Sequence, residues 1–167
     1  MPITHHVNDL VDKARETINQ VSATEAARMF DADEALLIDI RESHELKDRG
    51  IIEEAHHAPR SMLEFWADPY SPYHKSVFSS DRKLILFCAS GIRSALATKT
   101  LADMGMTNAV NMDGGLTEWR MQGLPVEYLN RIPLPVRSHR MHGTPHQRQH
   151  AAPARHPDQS ADHLTPS

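Results

Sequence analysis

The sequence predicts an α/β domain: a mostly parallel central sheet with helices on both faces. Two observations carry the expectation. Short apolar runs, "ALLID", "KLILFC" and "NAVNM", have the length of buried strands and alternate with stretches of helical period. A chain of 167 residues is also long enough for one domain with a sizeable core, and hardly long enough for two.

Taken in order, Val7, Leu10, Val11, Ala14, Ile18 and Val21 recur at three- and four-residue spacings and predict an amphipathic helix over 7–21. Ser22 and Glu25 stand in capping-box register, so a second short helix starts near Ala23. "ALLID", ending at Asp39, is a strand, and "RESHELKDRG" reads as a polar turn closed by Gly50. "AHHAP" is a further short strand stopped by Pro59, and "RSMLEFWAD" a helical turn or two before the loop "PYSPYHKS". "KLILFC" is a strand, and "ASGIR" a turn. A helix follows from Ser94 to Met104, with Ala97, Leu101 and Met104 on one face and Gly105 in the C′ position. "NAVNM" is the next strand, and "DGGLTEWRMQG" a helix that opens after a glycine pair and ends at Gly123. The expected organisation is an added N-terminal helix over 1–21, the α/β domain over 22–129 and a tail over 130–167. That tail is rich in Pro, His, Arg and Ser with almost no large apolar side chains, so disorder is expected there.

A net charge of −4 gives no overall electrostatic drive toward nucleic acid or an anionic membrane. No basic segment followed by an apolar one opens the chain, and no apolar run approaches the roughly 20 residues that span a bilayer. Cys88 is the only cysteine, which rules out an internal disulfide and a resolving thiol in the same chain, and suits a reducing cytoplasmic setting. Neither a metal nor a cofactor is expected. His139, His142, His146 and His150 have helical spacing, but Pro145 and Gly143 interrupt it. Of His56 and His57, strand alternation lets at most one face a pocket, and a local hydrogen bond is the expected role. Phe65 and Trp66 are expected at a core edge or pocket wall, and Trp119 in the core. The tail arginines lack the aromatic partners of a nucleic-acid surface.

The chemistry concentrates at "FCASGIRSA". Ligands of parallel α/β sheets bind outside the carboxyl ends of the strands, and Cys88 sits at such an end, with a helix beginning a few residues on. Backbone N–H groups of a tight turn and of a helix N-terminus make an anion cradle, and a thiolate is itself an anion. A free thiol titrates near pH 8.5, whereas sites beside helix N-termini and cations fall to roughly 3.5–7.5. Gly91 relieves the turn sterically and Arg93 supplies a fixed charge. The local physics suggests a nucleophilic thiolate under an anion pocket. A small buried hydrophobe at a strand end is the plainer reading of a lone cysteine.

"FCASGIRSALATKTLADMG", with "LLIDIRE" before it and "VNMDGGLTEWRMQGLPV" after it, resembles the active-site loop and flanking blocks of the rhodanese (thiosulfate sulfurtransferase) family, in the family's order and spacing. "APRSMLEFW" is similar to one branch of the single-domain bacterial members. The resemblance covers roughly residues 22–128 and implies a rhodanese-like fold. It further implies that Cys88 takes up a sulfane sulfur as a persulfide, and that Ala89, Ser90, Gly91, Ile92 and Arg93 complete the loop around it. Arg93 and Ser94 would face the anionic donor, and Arg60 would stand near the pocket mouth. Asp39 and Arg41 match the family's D-x-R motif, which supports the sheet and loop, and Asp113, Gly114 and Gly115 its tight turn. One departure stands out. The family's usual G-H-I-P-G-A is here "GIIEEA", with Ile51 for the histidine and Glu53-Glu54 for the Pro-Gly, which puts that turn in question.

Loop length bears on the reaction. Cysteine phosphatases and arsenate reductases of the same fold place the arginine six or more positions after the cysteine, whereas Arg93 is five after Cys88. The six-residue loop suits a single sulfur atom, so sulfur transfer from a thiosulfate-like donor to a thiol or protein-cysteine acceptor is the leading expectation. A non-catalytic rhodanese-like binding or redox-sensing module is the alternative, against which the intact Cys88, Gly91 and Arg93 weigh. No nucleic-acid or membrane partner is expected, and the sequence does not set the oligomeric state.

Overall fold

The structure, a computed structural model, describes residues 1–129. The expectations for the tail, including its histidines, lie outside the described residues. Five strands form the sheet: β1 (Asn19–Val21), β2 (Ala35–Asp39), β3 (His56–His57), β4 (Lys83–Phe87) and β5 (Ala109–Met112). Their order is β1-β5-β4-β2-β3 and every pairing is parallel. The helices are α1 (Val7–Thr17), α2 (Ala23–Asp31), α3 (Ser43–Arg49), α4 (Leu63–Ala67), α5 (Ile92–Asp103) and α6 (Gly115–Met121).

Strand alternation divides the core into two layers. Leu37, Ile85, Phe87 and Val110 point to one face, where Ala23 and Ala26 of α2 and Leu116 and Trp119 of α6 cover them. Ile38, Leu84 and Leu86 point to the other, against Leu63 and Ala67 of α4 and Ala97 and Leu101 of α5. The expected α/β architecture with helices on both faces is therefore present. The central strand β4 runs straight into Cys88, which packs with the second layer. No helix among the described residues is long and apolar enough to cross a membrane.

Four local expectations are corrected. The helix predicted over 7–21 ends at Thr17. Ile18 turns extended, and Asn19–Val21 pair with Val110–Met112 as the sheet's outer strand, so backbone pairing overrides helical period there. Only Val11 and Ala14 of α1 are buried, on the side packed against α5, while Val7 and Leu10 are exposed. The polar "RESHELKDR" contains α3, a helix without a single buried residue. A capping box at its N-terminus holds it: the Glu42 carboxylate accepts the N–H of Glu45, and the Glu45 carboxylate accepts the N–H of Glu42 at 2.9 Å. Helix α5 starts at Ile92, two residues before the expected Ser94, and its Met104 and the Phe65 of α4 are exposed rather than packed.

The "GIIEEA" departure still makes a turn. The Ala55 N–H donates to the Ile52 carbonyl at 3.1 Å, and Glu54 takes the left-handed conformation with φ of 65°. Ile51 exchanges both backbone hydrogen bonds with Glu127, each at 2.8 Å, which pins the start of this segment.

Candidate active site

Each part of the Cys88 loop is fixed by an identifiable local interaction. Cys88 follows the last residue of β4, and its side chain is buried. Gly91 caps α5 in the left-handed conformation, φ 85°. A Cβ at Gly91 would stand 2.8 Å from the Gly114 nitrogen, so the two loops touch backbone to backbone and only glycine fits. The capping geometry brings the Gly91 N–H to 3.2 Å from the Cys88 Sγ, where it donates to the sulfur. The Ser94 hydroxyl lies 3.5 Å from the same sulfur. Burial pushes the Cys88 thiol up. The Ser94 hydroxyl, together with the N–H groups of Ser94, Ser90 and Gly91, outweighs burial and holds the pKa below that of an ordinary cysteine.

The second loop carries the first. The Leu116 N–H donates to the Cys88 carbonyl and the Thr117 N–H to the Ala89 carbonyl, both at 2.9 Å. Gly115, at φ 54°, permits this: a Cβ there would lie 2.4 Å from the Cys88 carbonyl oxygen. Asp113 is exposed and stands 3.8 Å from Arg15 of α1. Asp39 and Arg41 form a buried pair in which Arg41 Nε and Nη2 reach the carboxylate at 2.9 and 2.7 Å. Arg41 Nη2 also donates to the Gly50 carbonyl at 2.9 Å, and His57 Nε2 lies 2.7 Å from the Arg41 carbonyl. The D-x-R residues thus brace the end of β2, and His57 has the local hydrogen bond expected of it.

Arg93 is brought to the loop, but its guanidinium is engaged. Its Nη1 and Nη2 donate to the two carboxylate oxygens of Glu45 at 2.9 and 2.8 Å. That fork holds the Glu45 carboxyl down at about 2. Glu45 in turn raises the Arg93 pKa against burial, with the Cys88 thiolate adding to it. Arg60 is not brought to the sulfur. It pairs with Glu64, and its Nη2 is 3.4 Å from Thr100, eight residues or about 12 Å along α5 from Ile92. Ser90 and Ile92 are exposed on the rim of the loop and Ala89 is half-buried.

Two supporting residues escaped the sequence reading. Glu45 lies 48 residues from Arg93, so no local pattern announces that pair; the Glu42-x-x-Glu45 spacing would have revealed its helix. Asn111, fully buried on β5, donates from Nδ2 to the Gly91 carbonyl at 3.3 Å and to Gln20 Oε1 at 3.1 Å. An asparagine inside an apolar strand run was the available signal.

Beside the loop, α3, α6 and Ala89 enclose a cavity of about 570 Å³. Together these parts present a thiol with a lowered pKa, N–H donors around its sulfur and an adjoining space for a small molecule. Such a thiol attacks an electrophilic atom and holds it covalently.

Comparison with known proteins gives a consistent picture. The rhodanese-like domain family matches residues 22–122. A sulfurtransferase of Allochromatium vinosum is 30% identical over 110 residues, 65% of this chain and 94% of that protein. The tRNA uridine(34) hydroxylase of Enterobacter sp. is 27% identical over 134 residues, and there the chain spans only 36% of the relative's length. Among solved structures, a Rhodopseudomonas palustris protein described as a possible tyrosine phosphatase is 37% identical, with a TM-score of 0.73. It covers 76% of this chain and 98% of its own.

Proposed function

The chain belongs to the rhodanese-like family, and on that premise we propose that it is a sulfurtransferase working through a persulfide on Cys88. The observation that carries the proposal is the sulfur of Cys88 receiving the Gly91 N–H at the centre of a six-residue loop, with its pKa lowered. In the first half-reaction the Cys88 thiolate attacks the outer sulfur of thiosulfate or a similar donor. The donor's sulfur–sulfur bond breaks, sulfite leaves with the bonding pair, and the sulfane sulfur stays on Cys88 as a persulfide anion. The loop N–H groups then serve as preorganised donors to that anion. In the second half-reaction a thiophilic acceptor, cyanide in an assay or a thiolate in the cell, takes the outer sulfur and Cys88 departs as thiolate. Each step moves one sulfur atom without net oxidation. With one cysteine in the chain, discharge falls to an external acceptor and the kinetics are ping-pong.

The possible phosphatase among the structural relatives raises the question of phosphoryl transfer. Against it stand the short loop and the engagement of Arg93 by Glu45, which takes up both terminal nitrogens a phosphate would need.

Intact mass spectrometry after incubation with thiosulfate tests the proposal. A gain of about one sulfur, roughly 32 Da, located at Cys88, removed by cyanide and absent in Cys88→Ser, is the expected result. Failure of wild-type protein to gain mass while Cys88 alkylates readily would refute transfer from thiosulfate.

A further inference from the structure

The cavity beside the loop has an electrostatic character that sulfur uptake alone does not use. Its walls include Ala89, next to the nucleophile, Thr117 and Arg120 of α6, and His44, Asp48 and Arg49 of α3. The neighbouring charges Arg41 and Glu45 are already paired, with Asp39 and Arg93 respectively. Arg120 is different. Its guanidinium carbon sits over the Tyr128 ring, 5.7 Å from the centroid. Its Nε and Nη2 are buried yet have no hydrogen-bond partner among the described residues. Two buried guanidinium donors without an acceptor are costly unless an anion completes them. Arg49 adds a further positive charge on the same wall, where the carboxylates are Asp48 and the Arg93-paired Glu45.

We propose that Arg120 selects a small thiol acceptor that carries a carboxylate, seating the carboxylate in this cavity while the thiolate meets the persulfide on Cys88. The proposal rests on the sulfurtransferase reading above. A volume of about 570 Å³ lies in the range of small-molecule sites and is generous for thiosulfate alone. Arg120 is four residues beyond Leu116, whose N–H holds the Cys88 carbonyl, a rise of about 6 Å along α6. A carboxylate two or three carbons from a thiol sulfur spans that kind of separation. The planar fork of arginine favours a carboxylate geometrically, and its packing on Tyr128 limits the entropy lost on binding. In the transfer, the acceptor thiolate attacks the outer sulfur of the persulfide. The bond between that sulfur and Cys88 Sγ breaks, Cys88 leaves as thiolate, and the acceptor departs as its persulfide anion. The carboxylate takes no part in the bond changes.

The test compares 3-mercaptopropionate with its uncharged amide as acceptors for wild-type protein preloaded with thiosulfate, followed by mass and by stopped-flow discharge. The carboxylate should be preferred by about tenfold in kcat/KM, expressed in KM rather than kcat. In Arg120→Gln the ratio should fall toward one, and Arg120→Lys should keep part of it. A wild-type ratio near one overturns the inference without any variant, as does a ratio that Arg120→Gln leaves unmoved. Failure of thiosulfate to load Cys88 overturns both readings together, whereas loading without discrimination overturns this one alone.

Discussion

Replacing Gly115 by alanine tests whether the second loop truly carries the nucleophile. The position has φ of 54°, where a side chain costs about 1–2 kcal/mol. The added Cβ would lie 2.4 Å from the Cys88 carbonyl oxygen and 2.9 Å from the carbon and oxygen of Ala89. All three are backbone atoms, so no side chain can swing away. Relaxing the first contact to an ordinary carbon–oxygen approach of about 3.3 Å needs a shift of about 1 Å. That shift strains the Leu116 and Thr117 hydrogen bonds to Cys88 and Ala89, each worth about 1 kcal/mol. The sum is about 3–4 kcal/mol, or roughly 10 °C in Tm for a chain of this size. A nucleophile moved by about 1 Å from its donors loses activity on the order of a hundredfold. Gly105→Ala and Gly123→Ala are the controls, because both glycines have positive φ and no atom within 4 Å of the added Cβ. They should show the backbone cost alone, about 1–2 kcal/mol, with persulfide loading unchanged. Thermal melts and loading rates would be read on all three. A Gly115→Ala protein as stable as Gly123→Ala, loading within threefold of wild type, would refute the coupling of the two loops.

Two further outcomes follow from the electrostatics. The pH profile of Cys88 alkylation should have its midpoint below that of an ordinary cysteine, and Ser94→Ala, which removes the hydroxyl 3.5 Å from the sulfur, should move it upward. Glu45 titrates at about 2 when folded and near 4.3 when unfolded, so the stability of its pair with Arg93 is present above pH 4.3 and lost as the pH falls toward 2. Allowing for the screening of the half-exposed Arg93, the full effect is about 1 kcal/mol; at pH 3 the folded carboxyl is still mostly ionised, so urea melts at pH 6 and pH 3 should show Glu45→Gln losing roughly half of that less than wild type.

Strands β2, β4 and β5 were legible because they are largely apolar and buried, and the Cys88 loop because a cysteine, a glycine and an arginine at fixed spacing have few other uses. What stayed hidden depends on partners distant in sequence. Asn19–Val21 carry the tail of a helical pattern, and only the exposed edge of β5 makes them a strand. Helix α3 has no buried face, so hydrophobic period is silent about it and the caps alone decide. Arg93 was expected to face a donor; its fork is completed by Glu45, 48 residues away. Arg60 matched by its place in a motif, and the sequence did not show its partners, Glu64 one turn along and Thr100 of α5.

The family match begins at residue 22, yet the support of the Cys88 loop begins earlier. Asn111 Nδ2 divides its two hydrogens between the Gly91 carbonyl and Gln20 Oε1, so the residue that caps α5 and donates to Cys88 is tied through β5 to β1. Beside it, the Asp113 N–H donates to the Val21 carbonyl at 2.9 Å, which fixes the chain just before the Gly114-Gly115 turn. Both glycine loops, which meet at the Cys88 and Gly91 backbone, are therefore anchored on the same short outer strand. Helix α1, packed on α5 through Val11 and Ala14, holds that strand from the N-terminal side. Residues 7–21 thus belong to the machinery that positions Cys88, not to an appendage of the domain. A chain cut at the family boundary would free an edge of β5, remove the oxygen that orients Asn111, and loosen the Gly91 carbonyl on which the geometry of the sulfur depends.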